Sequence, residues 1–323
     1  MIHCSVCNSK EAKLLIHWKQ YTINKCQVCH CLFSEPIPRA EELTAFYQGF
    51  LFKKPGDEDI ERLKNLKSKE LLKYFTPNEN GTQKKFLDFG GGTGIAFAAA
   101  LEQGFDVYYS EIDQEAINFV REKFNLQDQQ FIRSLEEGNL KFDCILSDNV
   151  IEHVQDPNAF VQMLYDQLEA DGLLVIKTPH ASNTSIYFYP FISIMKYFRN
   201  ARRYNSLLNA LKVLRYRIWH CDPPRHLYSF SQKSLQMIGE KICGRNDKVE
   251  ITFYDIPLFE YSVTRSFFSK DKRMSGIKSI LVRILVLPIL PIEFLSKFLQ
   301  YVLQKLGLLS AGGITLMIRK GKN

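Results

Sequence analysis

Residues 86–94 read Phe-Leu-Asp-Phe-Gly-Gly-Gly-Thr-Gly, and this stretch decides the fold. The apolar pair Phe86-Leu87 ends in Asp88. Glycines then stand at the alternate positions Gly90, Gly92 and Gly94, with Gly91 between them. Glycine reaches positive φ without a Cβ penalty and lets a backbone approach a ligand closely. A helical stretch, Ile95 to Gln103, comes next, and the start of a helix offers unpaired N–H groups. The order is strand, tight turn, ligand-facing backbone, helix. A Walker phosphate loop is excluded, because Ile95 stands where that motif carries lysine. The third glycine also comes too early for the G-x-G-x-x-G dinucleotide pattern.

Outward from the turn, strands and helices alternate. Asp106 to Ser110 is an apolar-aromatic run closed by Glu111, and Asp113 is placed to cap a helix over Gln114 to Phe124. Phe131-Ile132 reads as a short third strand. Phe142 to Leu146 reads as a fourth, ended by Ser147-Asp148-Asn149. Asp156 and Pro157 suit the N-cap and first position of a helix over Asn158 to Leu168. Asp171-Gly172 stops that helix, and Leu173 to Ile176 forms a fifth strand. Val249 to Tyr254 and Ile314 to Arg319 supply a sixth and a seventh. Strands separated by helices of this length imply an α/β, doubly wound, mostly parallel sheet. Ligands of such sheets bind at the carboxyl ends of the strands, where Asp88, Glu111 and Asp148 fall.

With these residues in place, the chain resembles the class I S-adenosylmethionine (SAM) dependent methyltransferases, whose first motif reads D-x-G-x-G-x-G. The resemblance implies a Rossmann-like sheet of seven strands, the last antiparallel, with SAM as cofactor. It places Asp88, Phe89, Gly90, Gly92, Thr93 and Gly94 around the amino-acid end of SAM, Asp88 also holding the glycine loop. Glu111, with Ile112 beside it, would take both ribose hydroxyls, since a carboxylate only accepts and can be bidentate. Ser134 and Leu135 would flank the adenine. Residues 142–154, FDCILSDNVIEHV, resemble the family's fourth strand and its "D-x-x-E-H-x" turn, matched by Asp148, Asn149 and His153.

The amino-terminal segment makes a separate argument. Cys4-x2-Cys7 and Cys26-x2-Cys29 are paired knuckles around a strand-rich stretch, Leu14 to Ile23. Four thiolates at this spacing suit a structural Zn2+ of the zinc-ribbon kind, closed and without a catalytic position. His3, His30 and Cys31 flank the set as alternative ligands, and Cys144, Cys221 and Cys243 read as packing residues. Pro36 and Pro38 close this module at 1–38. A helical linker over 39–80 carries helices at Ala40 to Tyr47 and Ile60 to Phe75, with Phe46-Tyr47 set to pack over the cofactor. The methyltransferase domain then occupies 81–323, with helical insertions at about 183–220 and 265–310.

The substrate half is basic. Between Asp171 and Asp222 there is no acidic residue, while Lys196, Arg199 and Arg203 share one helix face and Phe191, Ile194, Met195 and Phe198 another. With a net charge of +7, this favours acidic partners, as a solvated lid face, an anionic acceptor site or an anionic membrane surface. A second amphipathic stripe, Leu295, Phe298, Leu299, Val302 and Leu306, suits core, oligomer or peripheral membrane contact. No apolar run reaches the length of a membrane span and no leader is evident, so the expected location is cytoplasmic, at most peripheral to the inner face of the membrane.

Residues 221–230, CDPPRHLYSF, resemble the P-x-H-L-x-x-F-S stretch of small-molecule methyltransferases. Asp222-Pro223-Pro224 lies too far along the chain to be the D-P-P-Y motif of nucleic-acid amino methyltransferases. The combination with a cysteine module resembles bacterial enzymes such as sugar C-methyltransferases. It implies methyl transfer to a small anionic acceptor, such as a nucleotide-linked sugar or a lipid-linked glycan precursor. His153, His180 and His226 are the candidate general bases. Two other classes stay open: an RNA-modifying methyltransferase, disfavoured because its second ligand pair is typically Cys and His at wider spacing, and a non-catalytic zinc-bearing adaptor.

Overall fold

The computed structural model describes residues 3–47, 54–79, 81–135, 140–181, 206–216, 218, 221–254, 291, 295–296, 298–299, 302–303, 306 and 312–322. It divides into two compact units. The first comprises Met1–Thr178, His220–Thr252 and Thr315–Asn323; the second comprises Pro179–Trp219 and Phe253–Ile314.

The first unit begins with an antiparallel sheet. β1 (Ala12–Trp18) and β2 (Tyr21–Cys26) form a hairpin with Trp18 opposite Tyr21, turned through Lys19 at φ 53°. β3 (Leu32–Glu35) pairs with β2. Each cysteine pair is followed by a residue in the left-handed region, Asn8 at φ 58° and His30 at φ 62°. His30 is thus a turn residue, and its side chain is exposed. The fourth strand of this sheet comes from far along the chain: β10 (Tyr228–Ser229) pairs with β3, Tyr228 opposite Phe33.

Two helices follow, α1 (Ala40–Tyr47) and α2 (Asp57–Leu71). α2 buries Ile60 and Leu71, in line with its helical apolar spacing. A tight pair, β4 (Asn78–Glu79) and β5 (Thr82–Gln83), turns at Gly81 and leads into β6 (Lys85–Phe89).

The main sheet adds β7 (Asp106–Ser110), β8 (Phe142–Asp148), β9 (Leu168–Pro179), β11 (Lys248–Tyr254) and β12 (Gly313–Arg319), in the order β11-β12-β9-β8-β6-β7. β7, β6, β8 and β9 run parallel. At one end of β9 the Lys320 N–H donates to the Gly172 carbonyl, and at the other the His180 N–H donates to the Gly312 carbonyl. β12 therefore runs antiparallel to β9, and the sheet is mixed.

The described sheet has six strands rather than the expected seven. Phe131 makes a single parallel bridge to Tyr109 and Ile132 N–H donates to the Tyr109 carbonyl. The chain turns through Asp128–Gln130 just before, so only two residues lie alongside β7, too few for a ladder. β9 also begins earlier than the sequence implies. Its register to β8 shifts between Phe142 and Cys144, and Asp171, at φ 62°, marks the irregular insertion.

Helices α3 (Ile95–Glu102), α4 (Gln114–Phe124), α5 (Pro157–Asp166) and, after a stretch treated below, α7 (Gln232–Ile242) complete the unit. α3 is alanine-rich and buries every residue from Ile95 to Ala100. It packs in a core with Phe75, Phe86, Phe105, Tyr109 and Val120. Asp113 and Asp156 cap α4 and α5 as their positions require, each accepting from the N–H groups of the second and third residues of its helix.

In the second unit, α6 (Leu207–Tyr216) buries Val213 and leaves Leu207, Leu208 and Leu211 exposed. Leu295, Phe298, Leu299 and Leu306 are exposed as well. Most of both expected insertions, including the face of Lys196, Arg199 and Arg203, lies outside the described residues. Among the described residues, no helix is long and apolar enough to cross a membrane.

Candidate active site

The glycine turn sits at the carboxyl end of β6. Gly90, Gly92 and Gly94 all have positive φ (69°, 52° and 68°). Gly90 and Gly91 N–H groups both donate to the Ser110 carbonyl, which ties the turn to β7. Three sides of the turn are packed. A Cβ on Gly90 would lie 2.5 Å from Val150, one on Gly91 2.6 Å from Asp88 and Tyr109, and one on Gly94 2.6 Å from Val120. At Gly92 a Cβ would meet nothing within 4 Å. The loop is thus pressed against protein everywhere except at Gly92, which opens outward.

Asp88 lies under the turn, buried, with Oδ2 accepting from the Phe97 N–H at 3.0 Å. Burial pushes its carboxyl up to about 7. Phe89 packs against Phe160, and Thr93 is half-buried in the turn. Glu111 stands at the end of β7. Its Oε2 accepts from Gly92 N–H at 2.9 Å and its Oε1 from Ile112 N–H at 2.7 Å. Ile112 beside it is 84% exposed. Ser134 is half-buried and Leu135 buried, on the segment that follows the Phe131 bridge.

Asp148 ends β8 inside a charge cluster that the sequence did not disclose. Lys67 donates to it at 2.8 Å, Lys177 lies at 3.4 Å, and Glu70 pairs with both lysines. Burial works against the Asp148 carboxylate, but the two lysines hold its proton affinity below the usual range. Asn149 adopts φ 59° and its side-chain amide donates to Asp148. Lys67 and Glu70, one helical turn apart on α2, were the available signal.

Beyond Asn149 a short helical turn, Ile151–His153, brings Glu152 and His153 toward His226. The two imidazoles lie 4.6 Å apart, centre to centre. His153 Nδ1 is 2.7 Å from the Arg225 carbonyl and 2.9 Å from the Tyr47 hydroxyl; that hydroxyl also donates to Arg225. His226 Nδ1 is 2.5 Å from Asp222 Oδ1. Glu152 is 1% exposed; Oε2 accepts from Thr178, while Oε1 accepts from no described residue. Burial raises the Glu152 carboxyl to about 8. Burial, with the neighbouring His226, lowers His153 to about 4, so it is neutral at physiological pH. His153 and His226 are thus brought together. His180 falls in the second unit, buried against Phe253. Tyr47 meets His153, its ring edge-on to the imidazole.

The four knuckle cysteines converge. Sγ of Cys4 and Cys29 are 3.6 Å apart and those of Cys7 and Cys26 3.5 Å, with all four within 4.8 Å. Ligands about 2.3 Å from a tetrahedral zinc lie about 3.8 Å from one another, so the donor set fits the ion. The Cys29 thiol beside it lowers the proton affinity of Cys4, and the same contact, with burial, raises that of Cys29. Cys31 is not with them: its thiol points to the Leu32 and Ser229 carbonyls.

Residues 60–242, more than half of the chain, match the family described as Methyltransferase domain, and the chain belongs to that family. It is 32% identical over 123 residues to the ubiquinone biosynthesis O-methyltransferase of Glaesserella parasuis, covering 33% of this chain and 50% of that protein. The Psychrobacter arcticus protein of the same name is 31% identical over 114 residues, 32% of this chain and 44% of its own. The chain spans about half the length of the curated relatives it matches. A solved SAM dependent methyltransferase from Archaeoglobus fulgidus aligns over 80% of this chain and 94% of its own, at 15% identity and a TM-score of 0.45.

Proposed function

We propose that this protein is a SAM-dependent methyltransferase acting on a hydroxyl of a small-molecule acceptor. The observation that carries the reading is the glycine turn, packed on three sides and open at Gly92, with the Glu111 carboxylate on its rim. When bound, SAM supplies an electrophilic methyl on a sulfonium, and loses it as neutral S-adenosylhomocysteine. The rest falls to the chain. Gly92 and Gly94 give the backbone room for the amino-acid end, with Asp88 bracing the turn beneath. Glu111 exchanges its backbone partners for ribose hydroxyls, and Ile112 covers an apolar face. Ser134 and Leu135 flank the adenine, and Asp148 and Asn149 close the opposite wall.

A hydroxyl acceptor must shed its proton as the carbon–oxygen bond forms. The Glu152–His153–His226 cluster is where the chain meets that demand. Both relatives are named as O-methyltransferases, which favours oxygen as the methylated atom. The basic interval between Asp171 and Asp222 favours an anionic acceptor. The exposed leucines of α6, beside Lys212 and Arg215, favour contact with an anionic membrane face. Structural zinc on Cys4, Cys7, Cys26 and Cys29 completes the proposal.

Calorimetric titration of the zinc-loaded protein with SAM tests the reading. One equivalent bound, followed by label transfer from methyl-labelled SAM to a member of a phenol and sugar library, is the expected result. Absence of SAM binding removes it.

A further inference from the structure

Glu152, His153 and His226 offer one donor atom each, all within 4.8 Å of one another. They come from two separate stretches, the turn after β8 and the segment 221–227. Three features go beyond mere proximity. First, each imidazole is fixed through Nδ1, His226 by the Asp222 carboxylate and His153 by the Arg225 carbonyl. A proton on Nδ1 leaves the lone pair on Nε2, and a carboxylate or carbonyl behind a histidine is the usual support of a metal ligand. Second, Glu152 is 1% exposed, yet Oε1 has no hydrogen-bond partner among the described residues. A buried polar atom without a partner is costly and calls for an explanation. Third, Oε1 lies 3.9 Å from His153 Nε2. That is too long for a hydrogen bond. It suits two ligands of one ion, which at bond lengths of about 2.1 Å stand about 3.4 Å apart at the tetrahedral angle and farther as the angle opens.

We infer that Glu152, His153 and His226 form a metal site, separate from the cysteines, for a divalent first-row ion that accepts imidazole and carboxylate ligands. Three protein ligands leave coordination positions open. The inference rests on the proposed methyl transfer and deepens it, because the acceptor's hydroxyl fills the open position. The ion lowers the pKa of that hydroxyl, and its proton departs to solvent. The oxygen then attacks the methyl carbon, the carbon–sulfur bond breaks, and S-adenosylhomocysteine leaves neutral. Asp222 is a positioning residue that acts through His226. Thr178, which donates to Glu152 Oε2 at 2.9 Å, aims the carboxylate.

The experiment uses the full chain with zinc already on the cysteines, titrated with Co2+ and followed by visible absorption, with zinc and cobalt counted by elemental analysis. Expected is one Co2+ per chain with weak d–d bands, zinc retained, and no intense sulfur-to-cobalt band. Glu152→Gln and His226→Ala should abolish saturable binding. Asp222→Asn, which leaves all three ligands in place, should weaken it by about 10–100-fold. No saturable Co2+ in the wild type overturns the inference, as does cobalt bound equally by all variants. If a ligand variant does not fold, wild-type stoichiometry and the Asp222→Asn shift still decide. SAM affinity is measured on the same samples. SAM bound without Co2+ defeats the metal site and spares the methyltransferase reading, whereas Co2+ bound without SAM does the reverse.

Discussion

Two adjacent glycines answer different needs. An alanine at Gly91 would drive its methyl into Asp88 and Tyr109 at 2.6 Å, so Gly91→Ala should cost about 1–3 kcal/mol of stability by overpacking, read by urea unfolding. At Gly92 the methyl meets no neighbour. Gly92→Ala should therefore lower SAM affinity far more than the loss of about 1–2 kcal/mol expected for a side chain in the left-handed region. Glu111→Ala should weaken SAM by about 1–3 kcal/mol through lost charge-assisted hydrogen bonds, and unchanged calorimetric affinity would refute the ribose role. Asp88 makes a pH prediction. Its carboxyl ionises near 3.8 when unfolded and near 7 in the fold, so folding takes up a proton in that window and stability falls as pH rises through it. In Asp88→Asn this contribution disappears, and the difference in Tm should move in the variant's favour between pH 5 and 8.

Among the elements, those with signals written in adjacent residues were legible. The strand Asp106–Ser110 and the helices Ala40–Tyr47 and Gln114–Phe124 keep the bounds read from sequence. Asp113 shows why, since its cap is a local hydrogen bond. What depends on distant partners was not legible. Phe131-Ile132 has strand composition but no room for a ladder. Tyr228-Ser229 carries no strand signal and becomes one because β3 has a free edge. The charge cluster joins α2 to β8 and β9, and the Glu152 environment joins Thr178 to the stretch around Asp222. Lys67 carries a test of this kind. Lys67→Met strips Asp148 and Glu70 of a shared cation and should destabilise the fold by about 1–3 kcal/mol, checked by urea unfolding at neutral pH.

At the scale of the molecule, the cysteine sheet and the methyltransferase core are stitched together around Glu152 and Leu227. Ser34 N–H donates to the Leu227 carbonyl, and Leu227 N–H donates to the Glu152 carbonyl. Ser231 Oγ donates to the Cys29 carbonyl, and Asn158 to those of Ser5 and Val6. Loosening the knuckles should therefore disturb Glu152 and His226 before it reaches the glycine turn. Cys4→Ser, or zinc removal by a chelator, should release the metal and sharply reduce methyl transfer while SAM affinity changes little. Equal loss of both would mean the knuckles support the whole fold instead. The pairing of Tyr228 with Phe33 also sets an order of assembly. The cysteine segment cannot finish its sheet until residues as far along as Ser229 have been translated, and contacts this distant along a chain form slowly. Until then Leu32–Glu35 is an unpaired edge, open to mispairing with another nascent chain.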